Sequence, residues 1–208
     1  MKFLSQKNFP RLWFLFQKVV GSTKDKQKLA IRSLNNHKKI LEIGCSVGNV
    51  STVFKKFKDI EFSGIDIDQG AINLAQKRFL DNPKFKFRCI SLEGLAQAGE
   101  KFDYVVFANI LHHVDDITAR ALLADVKKVL EKDGIVTIME PEKKKNNYGI
   151  LFKLIYLFEQ GEFRRSREEL IALISGSGYK LSVVEDVEVS SDGFPFVKVA
   201  CLTYIVAC

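Results

Sequence analysis

From residue 39 onward the chain alternates short apolar runs with longer stretches of helical period. The runs at 39–43, 60–65, 85–90, 104–108 and 135–140 read as strands, and the stretches near 48–57, 69–79 and 117–130 read as helices. In the last stretch Leu122, Val126, Val129 and Leu130 share one predicted face. A strand with no polar side has to be covered on both faces, and intervening helices give a parallel sheet that cover. The ending breaks the pattern. Residues 181–187 and 197–206 are strand-like runs on either side of a Ser-Ser-Asp-Gly-Phe-Pro turn, which predicts an antiparallel hairpin. The expected class is α/β, a doubly wound sheet in one domain.

Composition matters here through charge. The 208 residues carry a formal +7, which by itself invites a polyanionic partner. Residues 1–40 hold ten basic residues against Asp25 alone, a balance of +9, and residues 41–208 hold 22 basic and 24 acidic residues, a balance of −2. The excess belongs to an N-terminal arm, and the body offers no surplus for nucleic acid. The four cysteines form no CxxC pair and no zinc spacing, which points to a reducing compartment. The apolar segment 12–16 is too short for a signal sequence, and no run reaches the ~18 apolar residues of a membrane span. A soluble, cytoplasmic protein is expected.

The segment Leu41-Glu-Ile-Gly-Cys-Ser-Val-Gly-Asn49 carries most of the functional signal. A strand runs into a turn with Gly44 and Gly48, and a helix is expected from about Gly48. Glycine lets the backbone bend there and lets a ligand approach where a Cβ would clash. Amides at the start of a helix favour an anionic or polar group. The next strand ends at Asp66, which follows Gly44 by 22 residues. An acid at roughly 20 residues is placed to reach ribose hydroxyls. The order strand, glycine turn, helix, strand and acid therefore predicts a nucleoside-containing cofactor. The G-x-G-x-x-G fingerprint is absent and the chain is short of a nicotinamide half, which argues against an NAD enzyme.

Glu42-Ile-Gly44-Cys-Ser46-Val-Gly48 resembles the first motif, [D/E]-x-G-x-G-x-G, of the class I S-adenosylmethionine-dependent methyltransferases. Gly64-Ile-Asp66-Ile-Asp68 is similar to the end of that family's second strand. Residues 102–113 resemble its fourth strand and the loop beyond, and residues 129–134 the turn before its fifth. The resemblance covers residues 38–140 and 179–208. It implies one methyltransferase domain over 1–208, with a seven-stranded, mostly parallel sheet and an antiparallel C-terminal hairpin. Its parts are an N-terminal helical cap at 1–38, a cofactor-binding core at 39–140, an inserted helical lid at 141–179 and the terminal β-hairpin at 180–208.

The same resemblance implies S-adenosyl-L-methionine as cofactor and S-adenosyl-L-homocysteine as product. It assigns the methionyl end to Glu42 and to the backbone of Gly44, Cys45, Ser46 and Gly48. It gives the ribose to Asp66, the adenine face to Ile67, and the methionyl portion or the donor sulfur to Asn109. Two positions depart from the family pattern. Ser46 stands where the middle glycine belongs, and Cys89-Ile-Ser-Leu92 lacks the acid often found after the third strand. Ser91 or a backbone group is left to meet the adenine amine.

Methyl transfer is an in-line displacement, so the protein aligns a nucleophile and supplies a base where the nucleophile starts protonated. His112 and His113 follow the fourth strand and Glu140 ends the fifth, at the rim where ligands of this fold bind. These three are the catalytic candidates. The histidines suit a general base and Glu140 a substrate-positioning acid. The Asn/Asp-Pro-Pro-aromatic motif of adenine and glutamine N-methyltransferases is missing after the fourth strand. The apolar stretch 148–158 reads as a lid, a substrate wall or a core helix. Arg164 or Arg165 is a candidate for a carboxylate or phosphate on the substrate, while the lysines at 143–145 read as solvated. The arm reads as a lid over the pocket, as a membrane-surface helix or as a nucleic-acid contact. Its consecutive aromatics place the lid first. The expected function is methyl transfer to a small-molecule acceptor, with oxygen or nitrogen open. The alternatives are an RNA methyltransferase using the basic arm and a non-catalytic binding module on the same fold.

Overall fold

The computed structural model describes residues 22–143, 161–193, 196 and 198–208. In chain order the elements are α1 (Thr23–Arg32), β1 (Lys39–Ile43), a 3-10 turn (Ser51–Lys56), β2 (Glu61–Asp66), α2 (Gln69–Arg78) and β3 (Phe85–Cys89). Then follow α3 (Leu92–Gln97), β4 (Phe102–Ala108), a 3-10 turn (Leu111–His113), α4 (Asp116–Val129), β5 (Leu130–Pro141), α5 (Arg167–Gly176), β6 (Leu181–Ser190) and β7 (Lys198–Ala207). Seven strands form one sheet in the order β3-β2-β1-β4-β5-β7-β6. Strands β1 to β5 pair in parallel, and β7 lies antiparallel between β5 and β6. This is the α/β architecture expected from the alternation.

The central strands carry apolar residues on both faces, and along their regular stretches the side chains sort by parity. Ile40, Tyr104 and Val106 face a layer with Leu29, Ala30, Phe54, Ile72 and Phe79. Leu41, Val105 and Phe107 face the other layer, with Leu95, Leu123, Val126, Leu173 and Ile174. Burying each such large side chain contributes about 1.5–3 kcal/mol relative to leaving it in water. The helices start where side chains satisfy their first amides. Asp68 accepts from Gly70 and Ala71, Asp115 from Thr118, and Ser166 forms a capping box with Glu169.

Three local features depart from the sequence reading. The expected helix from about Gly48 is only the six-residue 3-10 turn Ser51–Lys56. Two hydroxyls explain the interruption: Ser51 is spent on Glu42 and Thr52 bonds back to the Asn49 carbonyl. Helix α3 is additional, too short for a periodic pattern and begun by its Ser91 cap. The buried face of α4 is Ala119, Leu123, Val126 and Val129, with Leu122 only half-buried.

Helix α1 lies against the sheet, with Leu29 and Ala30 buried. The Tyr104 hydroxyl donates to its Ala30 carbonyl at 2.9 Å. Asp192, in the β6–β7 turn, accepts from the Thr23 and Lys24 amides at 2.8 and 2.9 Å, and Asp25 accepts from the Ser190 amide at 2.9 Å. Arg32 adds a forked pair to Glu185. The aromatic arm at 9–16 and the apolar stretch at 148–158 lie outside the described residues. No helix among the described residues is long and apolar enough to cross a membrane.

Candidate active site

The C-terminal ends of β1, β2, β4 and β5 converge on one rim. After β1 the chain turns through Gly44, Ser46 and Gly48 with φ of +65°, +48° and +74°. Gly44 has no room for a side chain, because a Cβ would collide with Ile110 of the loop after β4. Ser46 takes a left-handed conformation although it has a Cβ, which explains why a glycine is the more usual choice there. Its amide donates to Asp66 Oδ2 at 2.8 Å, and Asp66 Oδ1 accepts from the Asp68 amide at 2.9 Å. Each carboxylate oxygen accepts more than one hydrogen bond, so Asp66 retains capacity for a diol. Ile67, next along, is 82% exposed, an apolar side chain left in water beside a polar acid.

Glu42 is buried, and the buried Ser51 hydroxyl donates to its Oε2 at 2.6 Å. Burial pushes its carboxyl up to about 8, against the lowering by Ser51 and with help from the charge of Asp66. A neutral side chain is thus the resting form near pH 7. Cys45 is buried, and its thiol is pushed far up, first by burial and then by Glu42 and Asp66. Ser91 is exposed and occupied as the cap of α3, accepting from Gly94.

Asn109 closes β4 with φ +63°, its amide donating to the Met139 carbonyl at 2.8 Å. Its Oδ1 is buried and has no hydrogen-bond partner among the described residues. Such an atom costs free energy unless something donates to it. The next five residues, Ile110 to Val114, are held from two sides. Glu140 accepts from the amides of Ile110, Leu111 and His112 at 2.7, 2.8 and 3.2 Å, and pairs with His112 Nδ1 at 2.8 Å. Burial opposes its ionisation, yet the His112 imidazole and these amides hold the carboxyl below the usual carboxylate range.

From the other side Arg165 donates to the carbonyls of Leu111 and Val114 at 2.6 and 3.0 Å and to Asp116 at 2.8 Å. Amides to a carboxylate and carbonyls to a guanidinium leave the loop little freedom. The His112 carbonyl accepts from Phe163 at 3.0 Å, and the backbone at Gly161 crosses so close to the His112 ring that a Cβ there would collide with it. His113 packs against His112 with ring centroids 4.0 Å apart and planes tilted by 39°. A small cleft of about 10 Å³, room for little more than a water molecule, lies among Leu111, His112, Glu140, Phe163, Arg165 and Thr203.

The fold thus brings Gly44, Cys45, Ser46, Gly48, Asp66, Ile67, Asn109, His112, His113 and Glu140 to one rim, and places Ser91 at the start of α3. Of the pair Arg164 and Arg165, one of which was the candidate for a carboxylate or phosphate, Arg165 is engaged by the His112 loop. Glu140 likewise faces loop amides. Sequence reasoning missed both loop-holding roles, since the partners are backbone groups that leave no motif. Among the described residues no group of three or more His, Cys, Asp or Glu could hold a metal ion.

Residues 40–134 match the family model described as a methyltransferase domain. Among curated proteins, the highly reducing polyketide synthase GPY1 of Gibberella fujikuroi is 29% identical over 145 residues, covering 62% of this chain and 6% of that protein. O-methyltransferase rstn1 of Aspergillus nomiae is 25% identical over 158 residues, covering 74% of this chain and 69% of that one. The solved structure of the pyocyanin biosynthetic protein PhzM shares the fold with a TM-score of 0.71 at 16% identity, over 95% of this chain and 57% of the other. The chain therefore spans only a small part of the first of these relatives and just over half of PhzM. Over residues 40–134 the chain is thus similar to the methyltransferase-domain family, and its seven-stranded sheet has the class I, Rossmann-like methyltransferase fold.

Proposed function

We propose that the protein binds S-adenosylmethionine and transfers its methyl group to a small-molecule acceptor. The observation that carries this reading is the buried, unpartnered Oδ1 of Asn109, an acceptor that matches the ammonium of an amino-acid ligand. It follows β4 immediately before Ile110, which packs over Gly44, and His112. The remaining residues suit the rest of the cofactor: Asp66 for the ribose diol, exposed Ile67 for a flat base, and the turn 44–48 for the methionyl backbone. Neutral, buried Glu42 is better suited to supporting the turn through Ser51 than to meeting a cation.

When bound, the cofactor supplies a methyl group activated on a sulfonium. The chain aligns the acceptor and takes its proton. A proton on His112 Nδ1, directed at Glu140, leaves Nε2 as the basic atom. Glu140 stabilises the imidazolium that forms and fixes the ring through the loop amides. His113 is the second candidate on the same turn. The O-methyltransferase among the relatives favours a hydroxyl acceptor, and the body's −2 balance favours a small molecule over RNA. Isothermal titration with S-adenosyl-L-homocysteine tests the reading: saturable one-site binding is expected, and absence of heat at millimolar ligand overturns it.

A further inference from the structure

We propose that Arg78 and Gln27 are positioning residues for the cofactor loop, acting through Asn49; the inference rests on the cofactor-binding reading above. The loop 44–49 contains three left-handed residues, one of them Ser46. A conformation of that kind persists only where its surroundings over-determine it. On the side of the site, Asp66 supplies one restraint by accepting from Ser46. Two residues with no part in the proposed chemistry supply further ones.

Arg78, the last residue of α2, directs Nη1 onto the Val47 carbonyl and onto Asn49 Oδ1, the latter at 3.0 Å. Gln27, on α1, gives Nε2 to the Asn49 carbonyl at 2.7 Å and to Thr52 Oγ1 at 2.7 Å. Thr52 Oγ1 in turn donates to the same Asn49 carbonyl at 2.8 Å. Asn49 is therefore gripped by its side chain from one helix and by its backbone from another. The guanidinium is partly desolvated, which strengthens a charged donor on a neutral carbonyl.

The energetic consequence follows from preorganisation. A loop already in its bound shape has nothing to order when the ligand arrives, and a loosened one binds with its affinity reduced by the populated fraction. Arg78 and Gln27 touch no reacting atom in this scheme. Their effect passes entirely through the turn.

The test uses the full chain, with Arg78→Met, which keeps the apolar stem, Arg78→Lys, which keeps the charge without the fork, and Gln27→Leu. In the free proteins, amide hydrogen exchange at 45–51 is expected to accelerate about tenfold while β4 amides keep their rates. Calorimetric Kd for S-adenosyl-L-homocysteine, measured well below each Tm, is expected to rise about tenfold in Arg78→Met and less in Arg78→Lys and Gln27→Leu. A merely structural role lowers Tm and leaves Kd untouched. Loop exchange and Kd within about twofold of the parent in every folded variant overturn the proposal. Should Arg78→Met fail to fold, Arg78→Lys and Gln27→Leu decide on the same readouts. If the parent itself binds no S-adenosyl-L-homocysteine, the cofactor reading falls and the assignment of these residues to it falls too; loop exchange alone then reports whether the grip exists.

Discussion

His112 Nδ1 lies 2.8 Å from Glu140 Oε2, with both side chains at least 95% buried. The same carboxylate accepts three consecutive loop amides, so one acid fixes both the backbone and the tautomer of the histidine. This makes Glu140 a positioning residue for whatever His112 does.

Replacing Glu140 by Gln keeps its size and removes the charge that four donors share. Breaking a buried pair in this way is expected to cost about 3 kcal/mol, read by urea unfolding at pH 7. A loss below about 0.5 kcal/mol would show the pair to be dispensable. The sign with pH follows from the lowered carboxyl. Its stabilisation is present above the ordinary carboxylate range and disappears as pH falls through the depressed value, an acid limb that Glu140→Gln should lack.

Arg165 grips the same loop by its carbonyls. Lysine carries the charge but cannot span both carbonyls with a planar fork. Arg165→Lys is expected to leave the affinity for S-adenosyl-L-homocysteine within about twofold while shifting or broadening the His112 ring signals. The chain has three histidines, His37, His112 and His113, so labelled-histidine NMR separates them. Unchanged His112 signals would remove Arg165 from this role.

Glu42 offers the opposite pH behaviour. Its carboxyl, pushed up by burial to about 8, keeps a proton in the folded state that the unfolded chain releases near 4.5. The associated stability is complete at low pH and declines as pH rises through this window, on the order of 1 kcal/mol per pH unit at most. Glu42→Gln should be flatter between pH 5 and 8. Parallel stability curves for the two proteins would contradict it.

Asp66 anchors Ser46 and is placed for a ribose. Asp66→Ala is expected to weaken binding of S-adenosyl-L-homocysteine at least about tenfold, the equivalent of one charge-assisted hydrogen bond. Equal affinity in calorimetry would take Asp66 out of the site.

The legible part of this molecule is the part encoded by local spacing. Gly44, Gly48 and Asp66 declare themselves because a turn and an acid at the end of the next strand have a fixed separation in a βαβ unit. Strand parity was hidden where both faces are apolar, as over residues 104–108, though the strands themselves were not. The roles of Arg78, Gln27 and Arg165 were illegible for a different reason. Each meets a backbone carbonyl 22 to 54 residues away, and carbonyls are the same in every sequence. The turn at Ser51–Lys56 was overread because apolar period says nothing about hydroxyls that compete with helical hydrogen bonds.

Helix α1 also sets an order of events. Its capping and anchoring partners, Asp192 and Ser190, lie 165 to 169 residues downstream. Contacts of such separation carry the largest chain-closure entropy and form late. During synthesis the nearer contacts, Gln27 to Asn49 and Ala30 to Tyr104, have their partners long before the last strand pair exists, and only the clamps to Ser190 and Asp192 must wait for it. A nascent or C-terminally truncated chain should therefore lose the clamps on the first turn of this helix while keeping the partners of its Gln27 and Ala30.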